Sequence, residues 1–470
     1  MSPTENKVFA TEDPLPKRQH LLFLNRSYWP DSEATGQLLT ELTTDLTQWF
    51  DVTVIVGRPN HVDQAADSTT GSAAQYRGVN VHRVWHTKFS KHSSVGRLAN
   101  LITFTLSAWH AARRLRRRPD AIIVQTDPFF LPLIGRRLQH RFGNCPLVCY
   151  LQDLYPDIAI AVGKVREGRV TRTIRGLLFR TYQQAQSVIV VSRDMKRRCE
   201  TYGVPADKIE VIANWADTQE ISPIKTNNAF RQQHNLEGRF VIMYSGNMGL
   251  AHDLDTLIDV AAILRDRSDL EWIFIGDGAQ REALTRRVAE LNLTNIRFLP
   301  YQPRSSLTQS LSAADVHLVS VVPGASACVM PSKLYGILAS GSPTLAVVEP
   351  ETELFDLINE HQIGFACVPG DPETLAERIR ELADDPELKR EFGTNARRLA
   401  VARFSRIGQT TQIGDLLCHL LGIKPPDLQT NGEMGTSLEE IAGSGDSPID
   451  AIPLANTLMT TANAQHVSRP

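Results

Sequence analysis

FVIMYSGNMGLAHDLDTLIDVAAILRDRSDLEWIFIGDG, residues 240–278, is the stretch that decides the fold. It opens on one apolar run (240–246) and closes on another (271–278), and each run is apolar throughout rather than alternating. A strand of a parallel sheet that is buried on both faces has this composition. Between the runs, apolar side chains repeat at helical spacing at Leu254, Leu257, Ile258 and Ala261. The stretch therefore predicts a strand, a helix and a second strand parallel to the first.

The same alternation extends in both directions along the chain. Apolar runs of strand length form two series, and helix-length segments separate most of them. The first series lies at residues 20–25, 52–57, 79–85, 121–127, 146–153, 187–192 and 209–214. The second series lies at residues 240–246, 271–278, 296–301, 316–321, 343–349 and 365–371. Two series predict an α/β protein with two doubly wound, Rossmann-like parallel-sheet domains, whose carboxyl strand ends face a shared cleft where a ligand binds.

A polar run that contains a proline, residues 216–228, predicts the boundary between these domains. The composition after residue 422 is rich in Pro, Gly, Ser and Thr, which cannot bury a core. The predicted segments are a flexible tail at 1–18, an N-terminal domain at 19–217, a C-terminal domain at 218–402, a closing C-terminal helix at 403–422 and a disordered tail at 423–470.

The composition excludes several classes of protein. The 470 residues are 42% hydrophobic and 22% charged, with a net charge of −2, so no nucleic-acid partner is expected. No apolar run approaches the ~18 residues of a membrane-spanning helix, and the N-terminus lacks the apolar core of a signal peptide. The six cysteines form no C-x-x-C pair, which is typical of reduced cytosolic thiols, and no metal site is expected.

The charge is unevenly distributed along the chain. Residues 97–198 hold 19 Lys and Arg against 6 Asp and Glu, a net charge of +13. Within them, residues 163–185 predict an amphipathic helix with an apolar face formed by Val170, Ile174, Leu177 and Leu178. Its basic residues are Arg169, Arg172, Arg175 and Arg180. Such a helix either lies on an anionic membrane or packs its apolar face on the sheet and leaves its arginines in solvent, and the sequence leaves both interpretations open.

Glycines follow the first two strands of the second series. YSGNMG places Gly246 and Gly249 after one strand, and IGDG places Gly276 and Gly278 after the next. Glycine lets a backbone approach a ligand closely, but it also ends many strands of α/β proteins as an ordinary turn. The first strand of the chain is not followed by G-x-G-x-x-G and no Walker motif occurs, which argues against a dinucleotide or P-loop site.

MPSKLYG, residues 330–336, predicts the start of a helix at the cleft. Ser332 is placed to cap this helix, and Lys333 follows it. A lysine together with backbone N–H groups at a helix start can hold a diphosphate. The alternative is that Lys333 is a solvated helix residue, as most lysines are.

Five motifs occur in the order YSGNMGLAHDLDTL, FIGDGAQREAL, FLPYQPRSSL, AADVHLVSVVPG and PSKLYGILASGSPTLA. Together with YWPDSEATGQLLTELTTDL and LQDLYPD near the N-terminus, they resemble glycosyltransferase family 4 over about residues 20–420, in the subgroup of bacterial exopolysaccharide and O-antigen transferases. The resemblance implies a GT-B fold, transfer with retention, no metal and no cofactor. It also implies an acceptor-side N-terminal domain and a C-terminal domain that binds a nucleotide-sugar donor.

The resemblance also assigns donor-binding residues. Gly246, Gly249, Ser332 and Lys333 would flank the diphosphate, and Lys333 would be the main catalytic cation. Gly276, Gly278 and Tyr301 would lie toward the nucleoside. Gly36, after the first strand, would lie on the opposing wall of the cleft.

The sequence departs from the family pattern at several site positions. Cys328 and Gly336 align with the two glutamates that usually contact the donor hexose and the ribose. The usual arginine after the first strand of the C-terminal domain is Asn247, and the usual lysine a few residues on is replaced around His252. Gln152 aligns with a histidine that faces the donor sugar, and it is followed by Asp153. We include Asn247 and His252 among the donor-binding candidates and Asp153 among the catalytic ones.

The sequence thus predicts a glycosyltransferase that moves a sugar from a nucleotide donor to a glycan or lipid-linked acceptor in cell-surface polysaccharide biosynthesis. The expected location is cytoplasmic, with peripheral attachment to the cytoplasmic face of the inner membrane left open. Two alternatives remain: a nucleotide-sugar epimerase of the same architecture, and a nucleotide-sugar-binding subunit without catalytic activity.

Overall fold

A computed structural model of the protein describes residues 18–31, 33–59, 73–89 and 94–425. Nearly all of the two predicted tails, 1–18 and 423–470, lies outside these residues. The predicted domain boundaries remain predictions, whereas the two parallel sheets on which they were based are present.

The first sheet has eight strands in the order β3-β4-β2-β1-β5-β6-β7-β8. Its strands are β1 His20–Leu24, β2 Asp51–Val56, β3 Ala73–Tyr76, β4 Val79–Arg83, β5 Ala121–Val124, β6 Leu147–Leu151, β7 Ser187–Val190 and β8 Ile209–Val211. Every pairing is parallel except that of β3 with β4. All seven predicted runs form strands, and β3 was missed because its four residues are neither apolar throughout nor clearly alternating.

Six helices accompany the first sheet in the described part of the chain. They are α1 Ala34–Leu46, α2 Ser94–Arg113, α3 Leu131–Arg141, α4 Asp157–Ala161, α5 Arg169–Gln184 and α6 Arg193–Thr201. The predicted amphipathic segment corresponds to α5, and its apolar face is covered only in part: Leu178 is buried, whereas Val170 and Leu177 are exposed. The expectation that Arg175 is available to a membrane is wrong, because its guanidinium pairs with Asp157 at 2.6 Å and its side chain is only 14% exposed.

The second sheet has six parallel strands in the order β11-β10-β9-β12-β13-β14. Its strands are β9 Phe240–Ser245, β10 Leu270–Ile275, β11 Ile296–Leu299, β12 Val316–Ser320, β13 Thr344–Val347 and β14 Gly364–Cys367. The helices after β8 are α7 Ala229–Gln233, α8 Asp255–Ile263, α9 Arg281–Glu290, α10 Leu307–Leu311, α11 Lys333–Ala339, α12 Glu353–Glu360, α13 Pro372–Asp384, α14 Pro386–Arg403 and α15 Arg406–Leu421. The two-domain α/β prediction is therefore confirmed, including the β9–α8–β10 unit of residues 240–278.

Burial explains why these strands are apolar throughout. Every residue of β10 is buried, as is every residue of β9 except Ser245, because helices cover both faces of the sheet. In α8 the buried residues include Leu257, Ile258 and Ala261, the positions that the helical spacing singled out. These side chains form the core against which the carboxyl strand ends are held in place.

Two sets of contacts join the two sheets, one at the carboxyl ends of the strands and one between α15 and α1. At the cleft, the Leu154 backbone N–H donates to the Cys328 carbonyl at 2.9 Å. Behind it, α15 packs on α1, where the Arg406 guanidinium pairs with Asp45 at 2.7 Å. The carboxyl ends of both sheets consequently border one cleft. No helix in the described residues is long and apolar enough to cross a membrane.

We predict that Gly364→Ala destabilises the protein more than Gly370→Ala, two substitutions beside the same strand. Gly364 has a φ of +149° and an added Cβ would overlap the Thr344 carbonyl, whereas Gly370 has a φ of +83° and open space around it. The first variant should lose more than about 2 kcal/mol of stability and the second about 1 kcal/mol. Thermal unfolding measures both, and equal losses would contradict the role assigned to this close approach.

Candidate functional site

Lys333 begins α11 and its side chain runs inward under the loop that follows β9. Its Nζ is buried and has no hydrogen-bond partner among the residues that the structure describes. It lies 3.7 Å from the centroid of the Tyr244 ring, whose π face attracts a cation. Burial lowers the pKa of Lys333 well below the usual value for lysine. The solvated-lysine interpretation is therefore wrong, and an anion in the cleft would supply the partner that the ammonium lacks.

The glycine loops shape the surface above this lysine. An added Cβ at Gly246 would lie 3.1 Å from the Lys333 Cε, so the absence of a side chain there keeps the lysine close to the cleft. Gly276 packs against Gly246 so tightly that its Cβ would overlap the Gly246 carbonyl. Both have positive φ, at +142° for Gly246 and +131° for Gly276, which favours glycine. The loops after β9 and β10 are thus held against each other by backbone contact.

Asn247, Gly249 and Gly278 belong to the same surface. An added Cβ at Gly278 would lie 2.5 Å from the Met248 carbonyl and 2.7 Å from the Asn247 Oδ1. An added Cβ at Gly249 would lie 2.9 Å from the Asn247 Nδ2. The Met248 N–H donates to the Asp277 carbonyl at 2.8 Å, which joins the two loops. The structure therefore brings all four predicted loop glycines together around Asn247.

His252 is buried beside these loops rather than exposed on the surface. Its Nδ1 is 2.7 Å from the Ser320 carbonyl at the end of β12, so this nitrogen carries the proton and donates. Burial, with a smaller effect of the nearby Lys333 charge, lowers the pKa of His252 to about 3. His252 is therefore a neutral imidazole and adds no positive charge to this part of the cleft.

Ser332 differs from its expected local role. The expectation that its side chain caps α11 is wrong, because Ser332 already has helical backbone angles (φ −62°, ψ −23°) and its hydroxyl makes no capping bond. A capping residue needs an extended conformation to turn its oxygen back onto the helix N–H groups. Ser332 remains next to Lys333 at the helix start, where its hydroxyl is partly exposed.

Tyr301 and Gly36 lie on either side of the cleft. The Tyr301 ring is 48% exposed, and its Cε1 would lie 3.4 Å from a Cβ at Gly276. Gly36 lies in the first turn of α1, where an added Cβ would come within 3.1 Å of the Tyr28 backbone nitrogen. Burial, with smaller effects of the Asp277 and Glu33 charges, raises the pKa of Tyr301.

Asp153 follows β6 and reaches the opposite domain through its backbone. It forms an isolated bridge with Val329, four residues before Lys333. Burial, with a smaller effect of the Asp127 charge, raises the pKa of Asp153 to about 6. Its neighbour Gln152 is buried and accepts a hydrogen bond from the Asn214 side chain at 2.9 Å. A buried carboxyl group of raised pKa therefore follows β6, and the bridge partner of its backbone lies four residues before the start of α11.

Cys328 and Gly336 show how the usual glutamate positions are occupied. The Cys328 side chain is 2% exposed, and burial raises the pKa of its thiol to about 12, so it is a neutral packed group. An added Cβ at Gly336 would lie 3.3 Å from the Leu311 side chain. Neither position offers a carboxylate to a ligand, and the alignment of these positions with the family's glutamates remains a prediction.

Three site residues were missed by the sequence analysis. Tyr244 carries the ring under Lys333 and donates from its hydroxyl to the Asn247 carbonyl at 2.7 Å. The Gln280 amide donates to the carbonyls of Gly249, at 2.6 Å, and His252, at 2.9 Å. The Arg281 guanidinium donates to the Gly276 carbonyl at 2.7 Å. Their positions in the sequence could have indicated them, since Tyr244 lies near the end of β9, just before the first glycine loop, and Gln280 and Arg281 follow the glycine loop after β10.

The site combines a buried amine without a hydrogen-bond partner among the described residues, closely packed glycine loops and a carboxyl group of raised pKa. A compact anion over Lys333 would favour the charged form of this amine. Among the described residues, no group of three or more His, Cys, Asp or Glu side chains is placed to hold a metal ion.

Comparison with protein families places both domains. The family described as "Glycosyltransferase Family 4" matches residues 35–220, and the one described as "Glycosyl transferases group 1" matches residues 226–399. A probable glycosyltransferase of Pseudomonas aeruginosa (WbjE) is 27% identical over 57% of this chain and 67% of its own length. A putative colanic acid biosynthesis glycosyl transferase of Escherichia coli (WcaI) is 27% identical over 77% of this chain and 91% of its own length.

Solved structures share the whole two-domain architecture. HepE of Anabaena, solved with UDP-glucose, superimposes with a TM-score of 0.65 at 18% identity, covering 86% of this chain and 100% of that one. The lipopolysaccharide-biosynthesis glycosyltransferase WaaG superimposes with a TM-score of 0.63 at 14% identity, covering 84% of this chain and 99% of that one. At these identities the likeness concerns the fold. With two adjoining family matches, this architecture and the predicted motifs in one chain, the protein belongs to glycosyltransferase family 4 and is a transferase with the GT-B fold.

Proposed function

We propose that the enzyme transfers a sugar from a nucleoside-diphosphate donor to a hydroxyl group of a glycan or lipid-linked acceptor, with retention, in the synthesis of a cell-surface polysaccharide. The observation that carries the proposal is the buried Lys333 ammonium, which has no hydrogen-bond partner among the described residues and lies under Gly246. A diphosphate over these loops would pair with the ammonium and accept hydrogen bonds from exposed backbone N–H groups. The lysine would then stabilise the charge that develops on the leaving diphosphate.

The donor class follows from the same geometry and from the neighbours. The loops after β9 and β10 would hold the diphosphate, and the partly exposed Tyr301 ring would lie toward the nucleoside. HepE was solved with UDP-glucose, which supports a UDP-sugar as the first donor to test. The E. coli relative named for colanic acid biosynthesis supports an exopolysaccharide acceptor.

Asp153 would act on the acceptor side of the reaction. Asp153 follows β6, its backbone forms a bridge with Val329, and burial raises the pKa of its carboxyl group to about 6. A base with a pKa close to the working pH is suited to accept the proton of an attacking hydroxyl. Asp127 contributes to the raised pKa and so tunes this group from the end of the neighbouring strand.

The two alternatives receive less support. An epimerase would act on the donor alone, and the relatives found by comparison carry transferase names. A binding subunit without activity was suggested by the missing glutamates, but the cleft retains a cation and a titratable carboxyl group. Incubation of purified donor without acceptor, followed by NMR, separates an epimerase from a transferase.

The enzyme would act peripherally at the cytoplasmic face of the membrane when its acceptor is lipid-linked. The net positive charge of residues 97–198 supports an anionic surface as a further partner. Metal independence follows from the family resemblance and remains a prediction.

We predict that Lys333→Met raises the stability of the ligand-free protein and abolishes donor binding. Methionine fills similar space without a buried amine that lacks a partner, whereas the diphosphate loses its cation. UDP at about 100 times its dissociation constant should stabilise the wild type by roughly 2.7 kcal/mol. The variant should show no such thermal shift, and its turnover should fall roughly 100- to 1000-fold.

The pH dependence and a matched control sharpen this test. Because burial lowers the pKa of Lys333, the unfolded chain holds the lysine proton more tightly than the folded protein does. The stability advantage of Lys333→Met should therefore be largest at low pH and shrink as the pH rises toward the ordinary lysine pKa. Lys225→Met, at an exposed lysine, should change neither stability nor binding. Full donor binding by Lys333→Met would refute the diphosphate site.

We predict that Asp153→Asn removes the acidic limb of the pH–rate profile. In the wild type, kcat/KM should rise with pH through about 6 as the carboxylate forms, since burial raises the pKa of Asp153 to about 6. The variant should be slower by about 100-fold and flat across this range, with an unchanged UDP thermal shift. Asp127→Asn should move the limb to lower pH by removing the neighbouring charge. An unchanged limb in Asp153→Asn would contradict the role as base.

A further inference from the structure

Helix α2 presents an uncovered row of apolar side chains, which we call the apolar stripe. It consists of Val95, Leu98, Ile102 and Leu106, which are 79%, 47%, 43% and 60% exposed. Their spacing of three and four residues places them on one face of the 20-residue helix. Exposed apolar side chains that occur singly are normal, whereas four in register along one helix mark an interaction surface.

The opposite face of α2 is apolar as well. Phe104, Ala108 and Ala112 are fully buried against the first sheet. The core face of the helix, which packs on β2 and α3, is thus distinct from the stripe. A helix that is apolar on both faces is typical of a helix with apolar neighbours on both sides, and the described residues leave the stripe uncovered.

Aromatic and basic side chains continue this surface. Trp109 lies one turn beyond Leu106 on the same face, and the Arg113 guanidinium stacks on its ring at 5.4 Å from the centroid. The segment before the helix carries Trp85 and Phe89, which are 54% and 56% exposed. The Phe89 backbone is tied to α2 by hydrogen bonds with the Asn100 side chain at 2.9 and 3.0 Å.

The sequence around α2 is basic, and of its cations Arg117 is paired with Asp51 and Asp120. Residues 68–119 contain ten Lys and Arg and no Asp or Glu. A bilayer with anionic headgroups complements this combination, because it offers negative charge at the surface and hydrocarbon directly beneath it. Indole rings and arginine side chains favour the boundary between the two. A water-soluble glycan offers no hydrocarbon and would not explain the stripe.

We propose that α2 docks the enzyme on an anionic phospholipid membrane, with the apolar stripe at the boundary between headgroups and acyl chains. The inference rests on the proposed function in one respect: a lipid-linked acceptor gives membrane attachment its purpose. The chain enters α2 from β4, which is parallel to β2. The first turn of the helix therefore lies at the carboxyl edge of the sheet, the same edge that carries Gly36 and Asp153, so docking would bring the acceptor side of the cleft to the membrane.

Helix α5, the basic helix singled out by the sequence, is the weaker candidate. Arg175 is paired with Asp157 and Glu167, at 2.6 and 2.8 Å. Two exposed apolar residues, Val170 and Leu177, remain on it. They provide a matched control for removing exposed apolar side chains from the same domain.

Co-sedimentation with vesicles tests the inference. The full-length protein is mixed with vesicles of phosphatidylcholine alone or with phosphatidylglycerol added, at low and high salt. The wild type should bind the anionic vesicles, and less at high salt because the charges are screened. The combined variant Leu98→Ser, Ile102→Ser, Leu106→Ser should bind at least about tenfold less, since it removes the inserted area. The control Val170→Ser, Leu177→Ser should bind as the wild type does.

A second variant keeps the test decisive if the first folds poorly. Arg113→Gln, Arg114→Gln leaves the apolar stripe intact and should reduce the preference for anionic over neutral vesicles. Vesicle binding by the apolar-stripe variant at wild-type level would overturn the inference. So would a wild type that ignores vesicles, or one that is a dimer and becomes monomeric in the apolar-stripe variant, since a second copy would then cover the stripe.

A UDP thermal shift on the same samples separates this inference from the proposed function. A shift without vesicle binding overturns the membrane surface and leaves the donor site standing. Vesicle binding without a shift for UDP or any nucleotide sugar supports the membrane surface and counts against the donor site.

Discussion

The buried ammonium of Lys333 is the feature on which the organisation of the cleft depends. Placing an amine against the Tyr244 ring, away from water and without a hydrogen-bond partner among the described residues, disfavours its charged form. Such an arrangement lowers the stability of the ligand-free protein. A protein retains it when a ligand supplies the missing partner, because the function then depends on the destabilising residue. The neutral His252 beside it avoids a second positive charge in the same space.

The backbone around the lysine is constrained just as strongly. A Cβ at Gly276 would overlap the Gly246 carbonyl, a Cβ at Gly246 would press on the Lys333 side chain, and both glycines adopt positive φ. These loops are held by the rigid ends of β9 and β10, whose residues are buried in the second sheet. A preorganised anion site needs this rigidity, because donors that must first reorganise lose part of their stabilising effect.

The two positions at which the family resemblance leads one to expect glutamates offer no carboxylate. Cys328 is packed and neutral, and an added Cβ at Gly336 would lie close to Leu311. Asp153 itself forms a backbone bridge with Val329. The pKa of its carboxyl group is raised by burial and, to a smaller extent, by the charge of Asp127. The proposed function divides the work of the cleft between Lys333 of the second sheet's domain and Asp153 of the first sheet's domain. The apolar stripe of α2 lies outside the cleft. The net positive charge of residues 97–198 indicated a membrane surface but did not indicate which helix provides it.

The sequence by itself determined the two parallel sheets, the family and the position of the glycine loops after β9 and β10. Strands buried on both faces must be apolar throughout, and glycines at strand ends leave a local pattern, so both signals are visible along the chain. Only the tertiary structure decided which side chains lack partners, because pairing depends on residues far apart: Tyr244 under Lys333, Arg175 held by Asp157, and Asp127 acting on Asp153. The same holds for α2, whose two apolar faces are indistinguishable in sequence, since only packing against the sheet shows which one is covered.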